Sequence, residues 1–209
     1  MKRTFKYIFG IAALLVLLIL SLDIRKLDKH LAAQTSDTFD AGEYAARVWE
    51  QEIPGVILEA SEIGYLVDML SNEPESIFET RGRKLGISST WYFMVRGSGI
   101  IDSVEEEYLL VRVDGIQVEL ATAFIFGNAI RDGSGVVDID EFVNMTDFNN
   151  VSIALNQRVK EEVIPELLKV ARPGMNLEFA GAVEISEEHI KTNPIRVIPV
   201  SVIFADAIQ

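Results

Sequence analysis

The chain of 209 residues is 49% hydrophobic, carries a formal charge of −13 and contains no cysteine. Its length and apolar content allow one substantial core, while the missing thiols exclude disulfides, thiolate metal sites, cysteine nucleophiles and a lipid-modified cysteine. Residues 1–30 hold six of the 19 basic side chains and two of the 32 acids, which leaves residues 31–209 at −17, a body that nucleic-acid backbones and anionic lipid surfaces repel.

Lys2, Arg3 and Lys6 precede the uncharged run "YIFGIAALLVLLILSL" at 7–22. As a helix, those 16 residues span about 24 Å, slightly less than a hydrocarbon core of about 30 Å. Phe5 and the snorkelling flanks Lys6, Arg25 and Lys26 make up the difference. A cleaved signal peptide would need a small-x-small site soon after the apolar run. The charged, bulky "SLDIRKLDKH" follows instead, so the pattern favours an uncleaved signal anchor. The positive flank then stays inside, and the chain is expected in a bacterial inner membrane as a single-pass protein. Its C-terminal body would lie on the periplasmic or extracellular side.

Residues 1–30 therefore read as signal anchor, 31–85 as stalk and helical unit, and 86–209 as a β-barrel domain. Within the second segment "FDAGEYAARVWEQEI" has Asp40 placed as N-cap, and Tyr44, Val48 and Trp49 at helical spacing. Pro54-Gly55 separates it from a second helical pattern over 56–70, and a third short helix ends near Gly82.

At Trp91 the period changes. "WYFMVRGSGII" and "EYLLVRVDG" are aromatic and β-branched, broken by Gly97, Gly99 and Gly115, and "IQVELATAFIF" reads as a third strand. A helix over 147–170 is expected, capped by Asp147 and kinked at Pro165. The strands "NLEFAGAVEIS" and "PIRVIPVSVIFA" follow. Three strands, a helix and two strands is the element order of an OB-fold, a small Greek-key barrel. The expected class is α+β: an N-terminal membrane helix, a small helical unit, then an OB-like barrel with a long helix between strands three and four. A twisted antiparallel sheet packed by helices is the less specific alternative.

"RDGSGVVDIDEF" at 131–142 imitates a calcium loop. With Gly135 at its sixth position, Asp132, Ser134, Asp138 and Glu141 fall at liganding positions. The first position is Ile130, which has no side-chain oxygen, and the preceding segment reads as strand. A turn at "DGSG" followed by a short strand "VVDI" is the favoured reading, so no metal is expected and no cofactor either. His30 and His189, the two histidines, have no motif company, which argues against a zinc enzyme or a Ser-His-Asp hydrolase.

"FDAGEYAARVW", "WYFMVRGSGII", "NAIRD", "FVNMTDFNNVSIALNQRV", "LEFAGAVEI" and "VIPVSVIF" occur in that order. In these segments, over about residues 35–205, the chain resembles the predicted periplasmic lipoproteins of domain of unknown function 2291. The resemblance implies an exported, membrane-tethered accessory or binding protein without established catalysis, serving sugar ABC-transporter components or a small carbohydrate. The absent cysteine departs from a lipoprotein, and the apolar run at 7–22 would supply the tether.

Arg131, Asp132, Asn144, Asp147 and Asn156 are candidate ligand groups for sugar hydroxyls, with Trp91 or Tyr92 as a stacking face. The competing reading makes them a helix cap, a backbone partner and a structural ion pair. Arg131–Asp132 and the start of the following helix are expected to meet, because the apolar residues of "VVDIDEFV" must fold back to the core. Two other functions stay open: a carboxylate-based glycoside hydrolase using Asp132 with Asp147 or Glu141, and a purely structural envelope protein.

Overall fold

The computed structural model describes residues 39–205. The expected membrane helix at 7–22 lies outside them. Among the described residues no helix is long and apolar enough to cross a membrane.

The first helix, α1 (Ala41–Arg47), starts where expected. The Asp40 carboxylate accepts from the N–H groups of Gly42 and Glu43 at 2.8 and 3.0 Å, satisfying donors that have no intrahelical partner. Pro54-Gly55 does not separate two helices, however. One π-turn over Val48–Glu52 carries the chain directly into α2 (Ile53–Glu59), and Pro54 sits in the first turn of α2. The wider turn accommodates a residue that has no N–H to donate back and whose ring crowds the preceding carbonyl. The pattern at 56–70 is broken instead at Ala60, after which β1 (Ser61–Glu62) pairs in parallel with Val95 and Arg96. Two helices follow, α3 (Ile63–Asn72) and α4 (Pro74–Arg81), the latter ending at Gly82 as read from the sequence.

The barrel begins with β2 (Thr90–Val104), long enough to serve two neighbours. Its first part, Thr90–Ile100, runs antiparallel to β5 (Asn176–Ser186), and its end pairs with β3 (Tyr108–Val113). The bend between them passes Gly99, where a Cβ would stand 2.5 Å from the Arg112 carbonyl oxygen. Asp114 and Gly115 both take positive φ (48° and 89°) and join β3 to β4 (Ile116–Ala121) in a two-residue hairpin, as an Asp-Gly pair favours. A parallel pairing of Val118–Leu120 with Ile195–Val197 attaches β6 (Ile195–Phe204), which pairs back to β5. The order β2-β3-β4-β6-β5 thus closes on β2.

Three expectations between β4 and β5 are corrected. The third strand ends at Ala121, short of "FIF", because the N–H groups of Thr122 and Ala123 both turn to the Glu107 carbonyl. "VVDI" is not a strand: α5 (Ala129–Ser134) ends at left-handed Gly135, and a 3-10 turn covers Ile139–Glu141. The long helix, α6 (Met145–Arg158), is capped by Asn144 and not by Asp147, with the Asn144 side-chain oxygen accepting from Asp147 N–H at 2.9 Å. Pro165 again follows a π-turn, Val159–Val163, at the start of α7 (Ile164–Val170). The core is continuous from Ala45, Leu66 and Ile77 of the helical segment to Val111, Leu120, Phe179 and Val197 of the barrel.

Candidate functional site

Helix α5 lies against β2 and β5 on one side and α6 on the other, which turns Arg131 into the protein, 1% exposed. Its guanidinium holds Asp132 through two hydrogen bonds of 2.7 and 3.2 Å. It also donates to the Phe148 carbonyl at 3.2 Å and to Asn149 Oδ1 at 3.1 Å, and it lies 3.6 Å over the Phe148 ring. The two ends of the intervening loop therefore meet. Val137 is buried and Val136, Ile139 and Phe142 pack on the core as the apolar content of the loop suggests, whereas Val143 stays exposed. The amide that Arg131 reaches is Asn149, in place of Asn144 and Asn156.

The other sequence-chosen groups are distributed around this junction. Asn144 caps α6 and donates to the Asp147 carboxylate at 2.9 Å, with Asp147 itself 2% exposed. Asn156 lies farther along α6 and donates to the Gly127 carbonyl at 2.8 Å. Trp91 and Asp132 border an open groove of about 480 Å³ with Arg83, Lys84 and Asp138. The Trp91 indole is already engaged: Phe78 stacks on it, Lys84 Nζ stands 4.2 Å from the ring, and its N–H donates to Glu187.

The residues of the calcium-like loop are drawn to separate partners. Asp132 holds Arg131, Ser134 donates to the Arg131 carbonyl at 2.8 Å, Asp138 caps the Asp140 N–H, and Glu141 accepts from the Tyr44 hydroxyl at 2.7 Å. Among the described residues, no three or more His, Cys, Asp or Glu side chains form a group suited to a metal ion.

A second cavity, of about 330 Å³, lies where the chain leaves β4. Phe124 and Phe126 border it with Ala182 and Glu184 of β5 and Arg196 and Ile198 of β6. Both phenyl rings are largely exposed, 62% and 70%. Phe124 adopts φ = 53°, a left-handed backbone that costs a non-glycine residue about 1–2 kcal/mol. Arg196 fixes the loop by donating to the Ala123 carbonyl at 2.8 Å, and Asn156 fixes it from below at Gly127. Neither Arg196 nor Glu184 forms a salt bridge among the described residues. Glu184 pairs in register with Tyr92, and Arg196 with Glu119. Burial, then the carboxylates of Glu184 and Asp132, push the Tyr92 hydroxyl up to about 12, so it stays a neutral phenol.

The family model described as predicted periplasmic lipoprotein (DUF2291) matches residues 12–203. The chain belongs to this family. Membership sets it among proteins predicted for the cell envelope, although its 209 residues include no cysteine. An OB-fold protein from Thermotoga maritima, known from a crystal structure, superposes with a TM-score of 0.70 at 24% identity. The match covers 80% of this chain and 99% of that one, a likeness that shows the fold. No curated protein matches the chain.

Sequence reading of this family member passed over Phe124, Phe126, Glu184 and Arg196. The available signal was "AFIFGN", two phenylalanines just before a glycine. Read as strand, they are unremarkable core residues; only the turn of Thr122 and Ala123 onto Glu107 leaves them at the surface.

Proposed function

We propose that the chain is an exported accessory protein, tethered to the bacterial membrane through residues 7–22, that binds a small carbohydrate without catalysis and serves a sugar ABC transporter. The observation that supports this best is the Phe124–Phe126 pocket. Two exposed phenyl rings offer apolar faces to the C–H side of a pyranose, while Arg196 donors and Glu184 acceptors suit its hydroxyls. A lining that includes both Arg196 and Glu184 makes the pocket a poorer host for a lone cation or anion than for a neutral polyol.

The non-enzymatic reading draws on the fate of the carboxylates. A hydrolytic pair needs two carboxyl groups facing one scissile bond, yet Asp132 is held by Arg131, Glu141 by Tyr44, and Asp147 is buried beside Asn144.

Saturation-transfer NMR and calorimetry with a panel of monosaccharides on the full chain test the reading. Saturable binding that drops about two- to twelvefold in Phe124→Ala and Phe126→Ala is expected, each losing roughly 0.5–1.5 kcal/mol of aromatic contact. Binding that both variants leave unchanged, or no binding across the panel, overturns it. Recovery of neighbouring transporter components with the tagged chain tests the transporter link.

A further inference from the structure

The connection from α4 to β2, residues 82–89, carries the most exposed large apolar side chain among the described residues. Ile87 is 106% exposed and Leu85 38%. Around this tip the sequence "RGRKLGISSTW" places Arg81, Arg83 and Lys84 with no acid from 81 to 91, in a body whose remaining basic residues are outnumbered by acids. Arg81 and Arg83 are exposed and form no salt bridge among the described residues. Lys84 reaches Glu187 at 3.4 Å.

The base of this connection is fixed. Arg83 and Tyr92 exchange both backbone hydrogen bonds at 2.9 and 2.8 Å, and Glu187 N–H donates to the Ser89 carbonyl at 2.9 Å. Left-handed Gly86, at φ = 62°, turns the tip between Leu85 and Ile87. The result is an anchored projection with cations at its base and aliphatic side chains at its end.

We propose that this projection docks on an anionic phospholipid surface, with Leu85 and Ile87 entering the acyl boundary and Arg81, Arg83 and Lys84 meeting headgroup phosphates. Charge complementarity decides the partner: a cationic, aliphatic tip fits the interfacial region of an anionic bilayer. The body as a whole is repelled by such a surface, and Glu187 offsets Lys84 at 3.4 Å, so the local attraction rests on Arg81 and Arg83. Acids more than about 8 Å from them are screened at physiological salt. Membership of an envelope family brings the chain beside a bilayer, and the inference is independent of the carbohydrate pocket.

The absence of native cysteine provides a direct test. Full-length protein with Ser88→Cys is labelled with an environment-sensitive fluorophore and mixed with vesicles of phosphatidylcholine alone or with added phosphatidylglycerol. A second probe at Glu106→Cys, in the β2–β3 connection, reports the acidic end. The Ser88 probe is expected to shift blue and to be quenched by lipid-borne spin labels in anionic vesicles only, while the Glu106 probe stays in water. Ile87→Asp, and separately Arg81→Glu with Arg83→Glu, should reduce the quenched fraction by about tenfold or more, and high salt should act like the charge reversal. Equal signals in neutral and anionic vesicles, equal signals from both probes, or insensitivity to these substitutions would overturn the proposal.

Discussion

Replacing Arg131 by methionine keeps most of the side-chain volume and removes the charge at the α5–α6 junction. Four hydrogen bonds disappear: two to Asp132, one to the Phe148 carbonyl and one to Asn149. The carboxylate left behind cannot turn to water easily, since the Asp132 side chain is 9% exposed. Removing one partner of a buried pair costs about 3–5 kcal/mol, mostly as the penalty of the stranded charge. For a body of this size each kcal/mol lowers Tm by about 2–4 °C, so the midpoint should fall by about 6–20 °C. Urea denaturation followed by far-UV circular dichroism gives the free energy, and calorimetry gives Tm. The double variant Arg131→Met with Asp132→Leu removes the stranded charge and should regain a large part of the loss. A single-variant cost under about 1 kcal/mol, the range of an exposed pair, would refute the staple. So would a double variant less stable than the single one.

Gly99→Ala should destabilise by about 1–3 kcal/mol in the same urea assay, because its Cβ would meet the Arg112 carbonyl at 2.5 Å and the Val111 and Val113 side chains at 2.8 Å; unchanged stability would mean that the bend has room for a methyl group. The Tyr92 hydroxyl is pushed up to about 12 by burial and neighbouring carboxylates, and the Tyr44 hydroxyl likewise by burial and its bond to Glu141. The unfolded chain ionises near 10, so both tyrosines add stability that is fully present below pH 10 and is lost as the pH rises toward 12. Ultraviolet difference titration should show two phenols ionising well above the ordinary tyrosine value of about 10, a signal reduced to one in Tyr92→Phe, and Tyr92→Phe should flatten the fall in stability above pH 10. Ionisation of Tyr92 and Tyr44 near about 10 would contradict the burial argument.

Much of the barrel was legible because its signals are local. Asp40 caps its helix from a distance of two or three residues, Asp114-Gly115 supplies the turn geometry of one hairpin, and the β-branched runs of β2, β5 and β6 declare themselves over ten residues each. The order of these elements sufficed for the OB architecture. The helix cap reads wrongly from sequence: Asp147 is expected, yet Asn144, three residues earlier and an equally good cap, accepts from the Asp147 N–H and starts α6.

The tertiary structure decided the rest, for reasons that lie far apart in the chain. Neither proline ends its helix, since a preceding π-turn makes room for each. Strand β4 stops at Ala121 because Glu107 takes the next two N–H groups, and Arg196, 73 residues away, holds the turn at Ala123. Those two contacts convert Phe124 and Phe126 from apparent core into exposed rings, a change that no periodicity could announce. For Arg131 the sequence leaves an ion pair with Asp132 and an open ligand site as alternatives, and anticipates its meeting with the next helix; packing of α5 between the sheet and α6 buries it and spends its donors on Asp132, Phe148 and Asn149. Local propensity and patterning thus determined which segments are helix or strand. Closure of the ring through β2–β5 and β4–β6 determined which side chains face water, and with them where a ligand could sit.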